Sequence, residues 1–296
     1  MSYKKYILYL TTMLIVTFLS SYFYIFLKIS NYNEPRVYNL RKIDDKYRSS
    51  LMKYYIDKNY KKNSILILGD SQANGVNFTY NSTFGAILGK KLNKNVFVLA
   101  LQDARILDNL LISNYLNSKN YKFDAVIFDV NQGHTQELYV RRLLEYSSDW
   151  RISVLANQKS FFDFVQNLNP KSDSNQKPLE KYELKHMGNG GHIVKNENIY
   201  FEQLQEFTNS LKLITDKIIF YVTPRPWDNF DFSTTQNGKE KIINFNNKVL
   251  NFCKKNGIIC IIPKIYSNKY YIDIVHFNKL GHEKLAEILS QTINNQ

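Results

Sequence analysis

Short apolar runs alternate with longer segments of helical periodicity from about residue 64 to the end of this 296-residue chain. Five runs are rich in Ile, Val, Leu and Phe, which is typical of parallel strands covered on both faces. They are Ile65 to Leu68, Val96 to Leu99, Ala125 to Phe128, Ile218 to Val222 and Ile258 to Ile262. Helices are predicted at Thr83 to Leu92, Ile106 to Leu116, Ile199 to Leu213, Lys239 to Lys255 and Lys279 to Ile293. This alternation predicts an α/β fold in three layers, with a doubly wound, mostly parallel five-stranded sheet.

A different pattern precedes these elements, because residues 7–27 carry no charge at all. A helix of that length matches the roughly 30 Å hydrocarbon thickness of a bilayer. Bulky residues from Tyr22 to Phe26 follow Ser20 and Ser21, which disfavours a cleaved signal peptide. We therefore expect a single-pass transmembrane helix behind a short cytoplasmic tail, residues 1–6. The remainder would then be periplasmic or extracellular, although lysines and arginines flank the segment on both sides.

The rest of the chain divides into a connecting segment and one domain. Residues 28–60 predict a stalk followed by an amphipathic helix, and residues 61–296 predict the domain. Within the domain, residues from about 134 to 200 contain no clear strand and include a polar stretch and a glycine cluster. A connection of that length predicts an insertion, since most loops in α/β units have two to six residues.

Charge and cysteine content narrow the classes of partner. The chain has 39 Lys and Arg against 26 Asp and Glu, a formal charge of +13, but the lysines are dispersed. This favours a solvated basic surface and predicts no nucleic-acid binding. Cys253 and Cys260 are too few for a disulfide framework; two buried thiols are favoured and one bridge stays open. The five histidines lack metal-ligand spacing, so neither a metal nor another cofactor is expected.

Candidate chemistry follows the first and last strands. The first strand leads into Gly69-Asp70-Ser71, where a serine at a strand-to-helix turn presents its hydroxyl to the crevice at the carboxyl ends of the strands. After the last strand comes Asp273-Ile274-Val275-His276. In a tight turn this spacing can place the carboxylate beside one imidazole nitrogen while the other faces the serine. Each motif alone is weakly specific, since a Gly-Asp-Ser turn can be structural and an Asp-x-x-His pair occurs often by chance.

Taken together, these residues resemble the SGNH (GDSL-type) hydrolase and acyltransferase superfamily. The resemblance covers Ser64 to Ile293, and it is carried by Gly69-Asp70-Ser71, by an Asn after the third strand, and by Asp273-x-x-His276 before the final helix. It implies a nucleophile at Ser71, a general base at His276 and an orienting carboxylate at Asp273. The oxyanion hole of the family would correspond to the backbone N–H of Ser71, an N–H near Gln102 or Asp103, and the side chain of Asn131. The chain departs from the family pattern at this second position, where neither residue is glycine, and at Asp129 and Gln132 beside Asn131.

Three further residues are candidate substrate contacts. Arg225 and Trp227 follow the fourth strand, where they could bind an anionic group and stack on a sugar face, or simply form a rigid turn. His134 follows Asn131 and either lines the pocket or lies in a polar loop, whereas His282 is read as a surface or packing residue.

The predicted function is that of a membrane-anchored serine esterase or O-acyltransferase acting on an ester-bearing cell-envelope glycan or lipid. The alternative is a catalytically weak SGNH-like domain that binds an envelope polymer or a protein partner. Non-glycine residues in the predicted oxyanion loop favour that alternative.

Overall fold

The computed structural model describes residues 3–30, 56–75, 78–101, 104–132, 197–226, 238–273 and 275–295. Most of the predicted stalk and amphipathic helix lies outside these ranges, as does nearly all of the predicted insertion at 134–200.

The core is a five-stranded sheet in which every pair of neighbouring strands is parallel, as the sequence predicts. The strands are β1 (Ile65–Leu68), β2 (Val96–Val98), β3 (Ala125–Val130), β4 (Ile218–Val222) and β5 (Ile259–Ile261). Their spatial order is β2-β1-β3-β4-β5. Strand order therefore reverses between β1 and β3, the place where open α/β sheets bind their ligands, at the carboxyl ends of the strands.

Seven helices among the described residues have assigned bounds, and five of them correspond to the predicted ones. They are α1 (Tyr3–Ser30), α2 (Ser71–Asn74), α3 (Phe84–Leu92), α4 (Ile106–Ser118), α5 (Glu197–Lys212), α6 (Gly238–Asn256) and α7 (Lys279–Asn294). Residues 56–59 are also helical, and short 3₁₀ turns occur at Tyr80–Ser82 and Asn268–Tyr270. Polar side chains cap the first turns of α3 and α7: the Thr83 hydroxyl accepts from the N–H of Ala86, and the Asn278 side chain accepts from the N–H of Gly281.

The sheet is covered on both faces because successive strand side chains point in opposite directions. Leu66, Phe128 and Phe220 belong to one buried cluster, which includes residues of α4, α5 and α6. Their neighbours along the strands belong to a second cluster with residues of α3 and α7. This three-layer arrangement explains why the strand sequences are apolar throughout rather than alternating.

The segment predicted to span a membrane lies in α1. Among the residues that the structure describes, no helix combines the length and the apolar character needed to cross a bilayer. The transmembrane helix at residues 7–27 is not shown by the structure and stays a prediction from the sequence.

Candidate active site

The turn after β1 holds Ser71 at the first position of α2. Gly69 has φ +143°, and a Cβ built on it would lie 2.5 Å from the Cβ of Asp129, so this turn requires glycine. The Asp70 side chain then caps the helical turn by accepting from the N–H of Gln72 at 2.9 Å. Gly69 lies close to β3 and Asp70 caps the next turn, and together these contacts fix the direction of the chain at Ser71.

The loop before α7 brings the second half of the site. Tyr271 and Phe277 pair as an isolated antiparallel bridge, which closes the loop at its two ends. Inside it, Asp273 Oδ1 accepts from the backbone N–H groups of Val275 at 2.7 Å and His276 at 2.6 Å. The carboxylate is thus held by its own turn, with Oδ2 remaining to meet the imidazole.

Ser71, His276 and Asp273 form one continuous hydrogen-bonded series. His276 Nε2 lies 2.9 Å from Ser71 Oγ, and His276 Nδ1 lies 2.6 Å from Asp273 Oδ2. The histidine and aspartate side chains are 24% and 23% exposed, so a substrate can reach the imidazole while the pair stays largely desolvated. Burial alone would raise the pKa of Asp273. Hydrogen bonds from the His276 ring and from two backbone N–H groups, with the attraction of His276, instead hold it below its ordinary value. An ionised Asp273 favours the Nδ1–H tautomer of His276, which leaves Nε2 to accept the proton of Ser71.

Asn131 follows β3 and binds the turn of residues 69–72 that carries Ser71, the nucleophile turn; this is the position that the resemblance assigns to an oxyanion donor. Its Nδ2 donates to Asp70 Oδ2, and its Oδ1 accepts from Arg225 Nη2 at 2.8 Å. The amide nitrogen carries two hydrogens, so the bond to Asp70 uses one of them. The remaining candidate donor for this hole, a backbone N–H at Asp103 or Gln102, lies outside the described residues.

A network of buried polar side chains lies at this edge of the sheet and consists of Asp70, Asp129, Asn131, Thr223 and Arg225. Asp129 is completely buried and accepts from the Thr223 hydroxyl. Its pKa is raised well above the ordinary value because burial desolvates it and because Asp70 lies nearby, an effect that Thr223 and Arg225 only partly oppose. Burial and the neighbouring Asp70 therefore favour the protonated form of Asp129. The sequence pattern gave no sign of this network, because its members are separated along the chain and meet only across β1, β3 and β4.

Arg225 belongs to that network and does not lie at the surface. The residue is only 2% exposed and its guanidinium binds Asn131, so the structure does not place it as a contact for a substrate anion. Burial lowers the pKa of Arg225 despite the nearby carboxylates of Asp70 and Asp129. The other two candidate substrate contacts, Trp227 and His134, lie outside the described residues.

His282 is a packing residue. It is 1% exposed, its Nδ1 accepts from the N–H of Phe84 at 3.3 Å, and its ring contacts Phe78, Phe84 and Phe277. Cys253 and Cys260 are free thiols. Within the described ranges, no three His, Cys, Asp or Glu side chains are grouped closely enough to hold a metal ion.

Comparison with known proteins finds similarity in structure only. No family model matches the chain, and no curated protein matches it. Structural neighbours are SGNH and GDSL hydrolases at low sequence identity. A carbohydrate esterase family 2 enzyme with a carbohydrate-binding domain from Corynascus thermopiles (Myceliophthora fergusii) is 13% identical with a TM-score of 0.49; the match covers 79% of this chain and 66% of that one. The carbohydrate acetylesterase Est24 from Sinorhizobium meliloti is 12% identical with a TM-score of 0.48, over 79% and 99% of the two chains. An inhibitor-bound aryl esterase from M. smegmatis is 10% identical with a TM-score of 0.46, again over 79% and 99%.

Proposed function

We propose that this chain is a serine-dependent esterase or O-acyltransferase that works through an acyl-enzyme on Ser71. The observation that carries the proposal is the 2.9 Å separation of Ser71 Oγ and His276 Nε2, with Asp273 2.6 Å from the other ring nitrogen. A nucleophile, a base and an orienting carboxylate within hydrogen-bond reach are the arrangement that activates a serine hydroxyl for acyl transfer.

In the first half-reaction, Ser71 Oγ attacks the carbonyl carbon of an ester while its proton passes to His276 Nε2. Asp273 stabilises the imidazolium that forms, since its carboxylate stays ionised. The carbonyl oxygen becomes an oxyanion, which the Ser71 backbone N–H and the Asn131 side-chain amide would bind. Collapse of this intermediate breaks the bond to the leaving oxygen, which takes the proton from Nε2.

The second half-reaction decides between the two activities. If water attacks the acyl-Ser71 ester, His276 removes a proton from it, the acid is released and Ser71 is regenerated. If a sugar or lipid hydroxyl attacks instead, the acyl group is transferred to that acceptor. Both routes use the same three residues, so the acceptor has to be identified by experiment.

An acylated cell-envelope glycan or lipid is the proposed substrate, with the domain in the periplasm or outside the cell. The support for this location is the uncharged run at residues 7–27, which follows Lys4 and Lys5. Cell fractionation with an alkaline carbonate wash tests the membrane anchor. The full chain should stay with the membranes, and a version lacking residues 1–30 should not. Recovery of the full chain in the soluble fraction would contradict the location.

Hydrolysis of a chromogenic acetyl ester tests the activity. The unmodified protein should hydrolyse the ester, and Ser71→Ala should reduce kcat by about 10³-fold or more. Ser118→Ala, which removes an exposed hydroxyl that donates to the Tyr115 oxygen of its own helix, is the matched control and should keep full activity. Adding an acetyl-acceptor oligosaccharide distinguishes transfer from hydrolysis. Equal turnover by the unmodified protein and Ser71→Ala would contradict the proposal.

A domain that binds an envelope polymer with weak catalysis is the second candidate. The contact that favours it is the hydrogen bond from Asn131 to Asp70, which occupies part of the donor capacity of the predicted oxyanion hole. This candidate predicts that a labelled acylated polymer binds equally well to the unmodified protein and to Ser71→Ala, without turnover by either.

A further inference from the structure

The buried guanidinium of Arg225 binds one end of the Asn131 amide, and the other end meets the turn that carries Ser71. A guanidinium has donors only, so the atom of Asn131 that meets Arg225 Nη2 at 2.8 Å must be the amide oxygen. The nitrogen then has to lie on the other side of the amide, where it donates to Asp70. The Asp70 carboxylate requires the same orientation, so the arginine and the carboxylate together hold the amide with its nitrogen toward the turn that carries Ser71.

The contacts continue from the amide into the turn that holds the serine. Asp70 Oδ2 accepts from Asn131, while Asp70 Oδ1 accepts from the backbone N–H of Gln72 at 2.9 Å. Ser71 lies between these two residues in sequence. The arginine is therefore connected to the nucleophile turn by a series of hydrogen bonds that passes through Asn131 and Asp70.

The sheet register brings the arginine and the asparagine together. Val130 pairs with Val222 at the ends of β3 and β4, and the N–H of Thr223 still donates to the Val130 oxygen at 3.0 Å. Asn131 directly follows Val130 of β3, and Arg225 lies three residues after Val222 of β4. Because both residues are at least 95% buried, water does not compete for the bond between them, and a charged donor makes it stronger than a neutral one.

We propose that Arg225 is a positioning residue that orients the Asn131 amide with its nitrogen toward the oxyanion of the acyl-transfer reaction. This inference rests on the proposed esterase function, in which Asn131 is an oxyanion donor. It assigns Arg225 no contact with the substrate, in contrast to the anion-binding role that its sequence position suggests.

A double-mutant cycle with an acetyl ester tests the inference. Asn131→Ala should lower kcat by roughly 10² to 10³-fold, the usual loss for one oxyanion donor. Arg225→Lys keeps the charge but loses the planar fork, and it should lower kcat on the order of 10-fold to 100-fold with KM unchanged. In the Asn131→Ala background, Arg225→Lys should cause no further loss, because its effect passes through the amide. Lys248→Arg, which alters an exposed lysine paired with Glu197, is the control and should be neutral in both backgrounds.

Two results would overturn the inference. Equal loss from Arg225→Lys in both backgrounds would show that Arg225 does not act through Asn131, and a change confined to KM would show substrate binding. If Arg225→Lys does not fold, Arg225→Gln, whose amide still donates, takes its place in the cycle.

A readout that needs no turnover separates this inference from the proposed function. In ¹⁵N-labelled protein, the Asn131 side-chain N–H signals should exchange with solvent at least tenfold faster in the Arg225 variant than in the unmodified protein. Unchanged exchange would overturn the positioning role even in an inactive protein. Absence of turnover with faster exchange would contradict the esterase function and leave the positioning role standing.

Discussion

Gln72 and Val275 are 203 positions apart in sequence, yet the side-chain Nε2 of Gln72 donates to the backbone oxygen of Val275. Gln72 directly follows Ser71, and Val275 directly precedes His276. The side chain also reaches the Pro224 oxygen at 3.4 Å. One buried amide therefore joins the nucleophile turn to the loop that carries the base.

Removing this amide should weaken catalysis more than folding. In Gln72→Met the shape is retained but the donor is lost, so the loop of residues 273–276 is free to shift relative to Ser71. We expect kcat for an acetyl ester to fall on the order of 10-fold to 100-fold, since small displacements of reacting groups are costly. Gln205→Met removes a half-buried amide that binds Asn209 and Asn256 away from the site, and it should leave kcat unchanged. Equal kcat for Gln72→Met and the unmodified protein would contradict the linking role.

The orienting carboxylate is tested by Asp273→Asn. The amide keeps the size of the side chain, but it can present an N–H where the carboxylate accepted the Nδ1 proton, which favours the wrong tautomer of His276. We expect kcat to fall by about 10³ to 10⁴-fold near neutral pH. Asp124→Asn, which removes an acid paired with Lys94 away from the site, should have no effect. A loss of less than tenfold in Asp273→Asn would show that the carboxylate does not orient the base.

The raised pKa of Asp129 predicts a pH-dependent stability. In the folded protein the carboxyl group keeps its proton above the ordinary pKa of 3.8, while in the unfolded chain it releases the proton near that value. Wild-type stability should therefore decrease, relative to Asp129→Asn, as pH rises from about 4 toward the folded pKa, by at most about 1.4 kcal/mol per pH unit. Urea unfolding of both proteins between pH 4 and 8 measures this difference. Parallel pH profiles would contradict a raised pKa of Asp129.

The requirement for glycine at position 69 can be tested by comparing Gly69→Ala with Gly257→Ala, since both glycines have positive φ. Gly69→Ala would bring a Cβ within 2.5 Å of Asp129 and 2.9 Å of Ala73, whereas Gly257→Ala meets nothing within 4 Å. Gly257→Ala should cost about 1 kcal/mol of unfolding free energy from conformation alone. Gly69→Ala should cost about 3 kcal/mol or more, because overpacking adds to the strain. Equal thermal shifts would show that the close approach to β3 is not required.

The sheet and its helices could be predicted closely from the sequence. All five strands begin within one residue of their predicted positions, and β1 and β4 match at both ends. The local sequence pattern is sufficient to predict these elements, because buried strands and amphipathic helices each require a characteristic order of apolar and polar residues along the chain. Both halves of the site could also be located, since a serine after the first strand and Asp-x-x-His before the last helix lie at the ligand-binding edge.

The contacts around those residues could not be predicted. Arg225 follows a strand near the site and has the chemistry of an anion ligand, so its position alone favours substrate binding. In the structure it is buried against Asn131, a neighbour that depends on the pairing of β3 with β4. Gln72 and Asp129 likewise have partners that only the assembled sheet brings near. Polar contacts of this kind leave no periodic signal in the sequence.

Identification of the residue that a serine-directed phosphonate modifies tests the central claim most directly. The reagent forms a covalent adduct through the same attack that an ester would undergo, and peptide mass spectrometry locates it. The account predicts a single adduct on Ser71, absent from Ser71→Ala and formed at least tenfold more slowly in Asp273→Asn. No adduct on the folded, unmodified protein, or an adduct that persists in Ser71→Ala, would contradict it.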